Sequence, residues 1–319
     1  MIAEYRHIPV LLHECRKLLA LKAGEIYCDC TLGGAGHALE LAQDIVPDGM
    51  LIGIDQDDMA LEAAISRIKT DIPDLRFLPL KGNFAQLDEL LLQARIPGID
   101  AFLFDLGVSS PQLDISLRGF SYMQDAPLDM RMDPGKQTLT AAEIINTSNE
   151  ADLTWILRTY GEEKWAPRIA QFIVRQRQQA PIETTSQLVA LIKAAIPQGA
   201  RQTRGNPAKR SFQALRIKVN GELEALEQGL DAAIRWLNPG GRIAVISYHS
   251  LEDRIVKEKF AQLSKGCVCP PEAPMCVCEH VPILTRKTRK PLVPDDREME
   301  ANPRSRSAKL RVAVKSMSL

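Results

Sequence analysis

The sequence predicts an α/β protein built on a doubly wound, largely parallel sheet, with a helical domain inserted before the sheet is complete. Three observations carry that prediction. Short, nearly unbroken apolar runs alternate with amphipathic stretches of about a dozen residues, the signature of successive βαβ units. The first run stops at a glycine-rich turn that opens directly into a helix. The alternation then breaks between about Leu113 and Lys218 and resumes at Leu237-Asn-Pro-Gly-Gly241. The expected division is 1–112 with 219–319 as one discontinuous domain, and 113–218 as the insertion.

Residues His7–Leu21 read as a lead-in and a short helix. Ile26–Cys30 is the first strand, followed by the turn Thr31-Leu-Gly-Gly-Ala-Gly36 and a helix from about Ala38 to Ile45. Glycine gives such a turn access to positive φ and lets a ligand approach bare backbone. Met50–Asp55 is a second strand ending in an acid, and Asp58–Lys69 a helix with Met59, Leu61, Ala64, Ile65 and Ile68 at helical spacing. Leu75–Leu80, a helix over Phe84–Gln93 and the strand Ala101–Leu106 follow. Unbroken apolar runs of this kind suit strands buried on both faces. In the insertion, Thr140-Ala-Ala-Glu143 fits a capping box, and Asn149–Thr159, Trp165–Gln178 and Thr185–Ala195 read as helices. Arg242–Ser247 is strand five, with Ser250 capping a helix to about Leu263. Lys309–Lys315 reads as an alternating final strand, with Leu310, Val312 and Val314 on one side and Lys309, Arg311 and Lys315 on the other.

With 319 residues the chain is long enough to bury a full core. Forty Lys and Arg balance forty Asp and Glu, which leaves a nucleic-acid partner open because the distribution of charge decides that question. No window approaches the ~20 apolar residues of a membrane span. Met1–Glu14 is mixed polar and unlike a signal peptide, so a cytoplasmic location with reduced thiols is expected.

Three nucleotide-like ligands compete for the glycine turn. A triphosphate loop would place Lys-Ser or Lys-Thr after the glycines, whereas His37 and Ala38 follow Gly36. A dinucleotide fingerprint wants a small third residue where Leu39 stands. S-adenosylmethionine has no pyrophosphate and asks instead for a glycine turn and an acid ending strand two, a position filled by Asp55. Asp105-Leu-Gly-Val-Ser-Ser-Pro-Gln112 starts at the carboxyl end of strand four, the sheet edge where ligands of open α/β sheets lie.

That segment, with Arg118-Gly-Phe-Ser-Tyr-Met123, Asp125-Ala-Pro-Leu-Asp-Met-Arg-Met-Asp133 and Ser247-Tyr-His-Ser-Leu-Glu-Asp-Arg254, resembles the bacterial 16S ribosomal RNA cytosine-N(4) methyltransferases, the RsmH or MraW family. The likeness extends to His7-Ile-Pro-Val-Leu-Leu12 and Arg304-Ser-Arg-Ser-Ala-Lys-Leu-Arg311, and so covers nearly the whole chain. It implies a Rossmann-like class I S-adenosylmethionine-dependent methyltransferase sheet. The implied reaction is methylation of a cytosine amino group in the decoding region of the small subunit. It also implies cofactor contacts at Ala35, Gly36, His37, Asp55, Phe84, Asp105 and Gln112. The family often carries Gly where this chain has Ala35. Physically, Phe84 suits an adenine ring, Asp55 ribose hydroxyls, and Asp105 the neighbourhood of the methyl donor.

A cytosine amino nitrogen is a weak nucleophile because its lone pair is delocalised into the ring. The enzyme therefore needs in-line positioning, acceptors for the amino hydrogens and a route for the released proton. Asp105 and Ser109 are the expected acceptors, with Tyr248 or His249 as a stacking or proton-handling partner. His249 can equally be structural, and Glu252 and Asp253 read as helix-start residues. The Asp/Asn-Pro-Pro-aromatic loop of many amino-methyltransferases is absent, which weakens a DNA-modifying alternative. A non-catalytic RNA-binding assembly factor is a further alternative.

Between Thr184 and Gly221 there is no acid, while Lys193, Arg201, Arg204, Lys209, Arg210, Arg216 and Lys218 are present. The tail adds Arg286, Lys287, Arg289, Lys290, Arg304, Arg306, Lys309 and Arg311. Two such runs favour contacts to an RNA backbone, with 16S ribosomal RNA or the small subunit as the expected partner. A homodimer is left open. Cys267-x-Cys269-x6-Cys276-x-Cys278 offers four thiols, the number a structural zinc takes. The C-x-C intervals are shorter than the common C-x2-C, and Pro270, Pro271 and Pro274 can fix the loop alone, so no metal ligand is assigned.

Overall fold

The computed structural model describes residues 9–107, 118–201, 206–267, 269, 275, 278 and 280–317. The chain divides into two compact units, one of residues 1–107 with 223–319 and one of residues 108–222.

The first unit is built on a seven-stranded sheet. Its strands are β1 (Ile26–Asp29), β2 (Met50–Asp55), β3 (Arg76–Lys81), β4 (Ile99–Asp105), β5 (Leu237–Ser247), β6 (Leu284–Arg286) and β7 (Lys309–Lys315), in the order β3-β2-β1-β4-β5-β7-β6. The first five are parallel, while β7 runs antiparallel to β5 and β6 antiparallel to β7. Chain order reverses between β1 and β4, which makes the carboxyl ends of those strands the switch point where a ligand crevice forms.

The unbroken apolar runs have a simple cause: alternate residues feed two cores. Leu51, Leu103, Ala244 and Val312 face one core with α1 (Leu12–Leu19), α2 (Gly36–Ala42) and α3 (Asp58–Asp71). Ile52, Phe102, Phe104, Val245 and Ala313 face the other. That second core also takes in residues of α4 (Leu87–Gln93), of a long helix over Glu222–Trp236 and of another over Ser250–Leu263. Burying each of the leucine, isoleucine, valine and phenylalanine side chains among these contributes on the order of 2 kcal/mol, so the sheet is the main apolar framework of this unit.

Two expectations need correction here. The final strand is not half-solvated: Arg311 is only 7% exposed and donates to Asp253 at 2.7 Å and 3.2 Å, so both faces of β7 are covered. The last long helix is capped by His249 rather than Ser250. Strand β6, three residues long, had no signal in the sequence.

The described part of the second unit is helical. Its helices are α5 (Ala141–Thr147), α6 (Glu150–Gly161), α7 (Ala166–Arg177), α8 (Thr185–Ala195) and α9 (Lys209–Asn220), with a single turn at Gln198–Arg201. The long helices of the first unit are then α10 (Glu222–Trp236) and α11 (Ser250–Leu263). Local chemistry fixes their starts. Thr140 with Glu143, and Thr184 with Gln187, form reciprocal capping boxes, and the Asn149 side chain accepts from Asp152 N–H.

The motifs at Arg118–Met123 and Asp125–Asp133 serve this unit's architecture. Arg131 makes a bidentate pair with Asp129 at 2.8 Å and 2.6 Å, and Arg118 donates to the Met132 carbonyl at 2.9 Å. The Asn220 amide clamps the same segment: its oxygen accepts from Met132 N–H at 2.8 Å and its nitrogen donates to the Met130 carbonyl at 2.9 Å. At Gly119, φ is +70° and a Cβ would lie 2.2 Å from the Pro127 carbonyl oxygen, so no side chain fits there.

Candidate active site

The site forms where β1, β2, β4 and β5 end. After β1 the chain turns through Gly33 (φ 49°) and Ala35 (φ 60°), and α2 starts at Gly36, two residues earlier than the sequence pattern suggests. An alanine in the left-handed region carries strain of about 1 kcal/mol that glycine would not. Surrounding contacts hold it there. Leu32 N–H donates to Ile54 O at 3.0 Å, Ala35 is fully buried, and the Arg67 guanidinium from α3 donates to the Gly34 carbonyl. Gly53 on β2 makes room for this turn, since a Cβ there would lie 2.7 Å from Leu32.

Asp55, at the end of β2, ties itself to the same turn. Its Oδ2 accepts from Gly33 N–H at 2.8 Å and its Oδ1 from Asp57 N–H at 2.9 Å. Burial pushes this carboxyl up to about 6, against the lowering effect of those backbone donors. Gln56 N–H is a third backbone donor to the same carboxylate, which keeps acceptor capacity for a ligand hydroxyl. Phe84 follows β3 in a short 3-10 turn over Phe84–Gln86 and packs edge-on against Phe104, with centroids 5.6 Å apart. Gly229 on α10 makes space for that ring, since a Cβ there would lie 2.7 Å from Phe84 Cδ2.

The switch point gathers titratable groups. Asp105 N–H donates to Thr31 Oγ1 at 2.7 Å, and Tyr248 OH donates to Asp105 Oδ1 at 2.7 Å. Burial, reinforced by the Asp105 charge, pushes the Tyr248 phenol well up, so it stays a donor at any working pH. Gly107 (φ 110°) turns the chain just beyond Asp105, where a Cβ would meet the Tyr248 ring at 3.3 Å.

On the other side of Asp105 lies His37, 6% exposed, with Nδ1 3.4 Å from Asp105 Oδ2. Its Nε2 is 2.8 Å from the Val10 carbonyl, which can only accept, so Nε2 carries a hydrogen. Nδ1 is therefore the position at which the ring gains or loses a proton, and it faces a carboxylate. Burial lowers the basicity of His37, partly offset by Asp29. Asp29 itself is pushed up to about 6 by burial, with His37 as the main counterweight, and Thr31 N–H donates to it at 3.1 Å.

The predicted residues thus separate. Ala35, Gly36, His37, Asp55, Phe84 and Asp105 line consecutive strand ends of one sheet edge. Ser109 and Gln112 lie outside the described residues. His249 caps α11, its Nδ1 accepting from Glu252 N–H at 3.4 Å, and it is Tyr248 that bonds Asp105. Glu252 is a helix-start residue, accepting from Tyr248 N–H at 2.8 Å, and Asp253 pairs with Arg311. Sequence reasoning missed Asp29, Thr31, Arg67 and Gly229. Only Asp29, an acid closing an apolar strand, carried a signal. Of the basic runs, Arg216, Lys309 and Arg311 are engaged with Glu222 or Asp253, whereas Lys193, Lys209, Lys218, Arg286, Arg289 and Lys290 are exposed. Among the described residues, no helix is long and apolar enough to cross a membrane.

A five-stranded parallel sheet extended by antiparallel β7, a glycine turn after β1 and acids closing β2 and β4 define a Rossmann-like class I methyltransferase. The MraW methylase family matches residues 4–316, and the chain belongs to that family. It is 53% identical over 311 residues to a protein of Symbiobacterium thermophilum named Ribosomal RNA small subunit methyltransferase H, covering 98% of this chain and 97% of that one. A Paenibacillus protein of the same name is 53% identical over 317 residues, covering 98% and 99%. One from Geotalea daltonii is 52% identical over 314 residues, covering 98% and 100%.

Proposed function

We propose that this chain methylates the N4 amino group of a cytosine in 16S ribosomal RNA, in the cytoplasm, using S-adenosylmethionine. The observation that carries the reading is Asp105, oriented by Tyr248 and backed by His37 at the switch point, in a chain about half identical to small-subunit RNA methyltransferases. When bound, S-adenosylmethionine supplies a sulfonium methyl that passes to the amino nitrogen, which loses one proton as S-adenosylhomocysteine is left. The residues present fit that cofactor. Asp55 would accept from the ribose hydroxyls, Phe84 would pack on the adenine, and the backbone of Ala35, Gly36 and His37 would hold the methionine part.

Asp105 then accepts from the amino hydrogens, drawing the nitrogen lone pair out of the ring and toward the methyl. Tyr248 fixes which lone pairs of Asp105 remain for the base. Asp105 takes the released proton, and His37 Nδ1, 3.4 Å behind the carboxylate, is the next acceptor in reach. Reaching this edge requires the target cytosine to leave its stack. The exposed Lys193, Lys209 and Lys218 of the insertion, and Arg286, Arg289 and Lys290 of the tail, supply phosphate contacts, so binding weakens steeply with added salt.

The test incubates the protein and labelled cofactor with small subunits from a strain lacking this enzyme, with naked 16S RNA and with duplex DNA, and maps the modified base. Label at one cytosine N4 of the ribosomal RNA supports the reading. Label confined to DNA, or none on any substrate, defeats it.

A further inference from the structure

The paired cysteines of the tail take no part in methyl transfer. They lie between α11 and β6, a stretch in which no helix or strand occurs among the described residues. The Sγ atoms of Cys267, Cys269 and Cys278 nevertheless all lie within 4.8 Å of one another. Cys267 Sγ and Cys278 Sγ are 3.8 Å apart, and Cys269 N–H donates to Cys267 Sγ at 3.4 Å. Apolar burial does not gather them: Cys267 is exposed, Cys269 and Cys278 are half-buried, and Met275 between them is 71% exposed.

A tetrahedral zinc ion holds sulfurs at about 2.3 Å, which puts ligand sulfurs about 3.8 Å apart. One edge of the thiol triangle already has that length, and the widest needs to close by no more than about 1 Å. The contact from Cys269 N–H to Cys267 Sγ shows how so short an interval as Cys267-x-Cys269 can present both sulfurs to one ion, which removes the objection raised by the spacing.

We propose that Cys267, Cys269 and Cys278 are ligands of a structural zinc ion, with one further donor completing the tetrahedron. Cys276 lies outside the described residues. The ion pins the stretch between α11 and β6 and so fixes where the basic segment Arg286–Lys290 leaves the sheet.

The test is metal analysis of the full-length chain, purified under reductant without chelator, followed by exchange with cobalt(II). Expected are about one zinc per chain and, after exchange, the thiolate-to-metal charge-transfer band and visible absorption of a tetrahedral cobalt site. Cys267→Ser and Cys278→Ser should each lose the metal. A wild-type protein without zinc and without a cobalt–thiolate band on titration overturns the proposal, as does a Cys267–Cys278 disulfide in the reduced preparation. The wild-type measurement decides the matter even if a variant fails to fold.

Discussion

Replacing Tyr248 by Phe tests the construction of the site with a single oxygen. The ring keeps its place beside Gly107 and in the strand-end packing, and only the 2.7 Å bond to Asp105 is lost. A hydrogen bond to a charged acceptor contributes about 1.5–3 kcal/mol. At about 1.4 kcal/mol per decade, its loss predicts a ten- to hundred-fold fall in the rate of methyl transfer if Asp105 acts on the amino group. Tyr248 makes no bond to Asp55 or Phe84, so affinity for S-adenosylhomocysteine should change by no more than about threefold, within ~0.7 kcal/mol. The assay is single-turnover transfer of labelled methyl to small subunits at saturating cofactor, alongside calorimetric titration with S-adenosylhomocysteine. A variant with wild-type turnover would refute the role assigned to the Tyr248–Asp105 pair. Equal loss of affinity and rate would mean that Tyr248 serves cofactor binding instead.

Other consequences follow from the same geometry. With Asp55 titrating at about 6, roughly nine-tenths of it is ionised at pH 7 and one-tenth at pH 5, so the cofactor Kd should rise about tenfold over that range. An Asp55→Asn variant should bind weakly and show a flat profile; a flat profile in the wild type would remove the ribose assignment. The sign of the stability effect is opposite. A carboxyl raised on folding contributes stability that is present below the unfolded value near 4 and lost as pH rises through about 6, so Asp55 cannot weaken binding at pH 5 by unfolding the chain. Gly229→Ala should gain up to about 1 kcal/mol in helix propensity yet lose about 1–3 kcal/mol by driving a Cβ to 2.7 Å from Phe84. Calorimetry should then record roughly tenfold weaker cofactor binding, and unchanged binding would detach Phe84 from the adenine site.

Much of the sheet was legible because burial on both faces writes itself as uninterrupted apolar runs, as at Phe102-Leu103-Phe104. The same rule failed at β7, where Arg311 reads as a solvent residue until Asp253 on α11 is seen to neutralise it. Period-two reasoning does not know about an ion pair between distant segments. Asp55 and Asp105 stood out as acids closing apolar strands, a local pattern. The Asp105–Tyr248 bond links residues 143 apart in sequence and the His37–Asp105 contact links separate strand ends, so neither had a local signal. Gly229 reads as an ordinary helix glycine, and its meaning comes from the ring it faces. The segments around Arg118 and Asp129 carried the family likeness, and their contacts within the insertion are architectural: ion pairs and amide clamps that fix a loop with little regular structure.

The proposed reaction turns on Asp105 receiving the amino hydrogens of the target cytosine. The most direct measurement compares wild type with Asp105→Ala and Asp105→Asn in single-turnover methyl transfer to small subunits, with subunit binding measured in parallel. Methyl transfer should be abolished in the alanine variant while subunit binding is retained, with the asparagine variant impaired but active because it keeps one acceptor oxygen. Full transfer by Asp105→Ala would contradict that role.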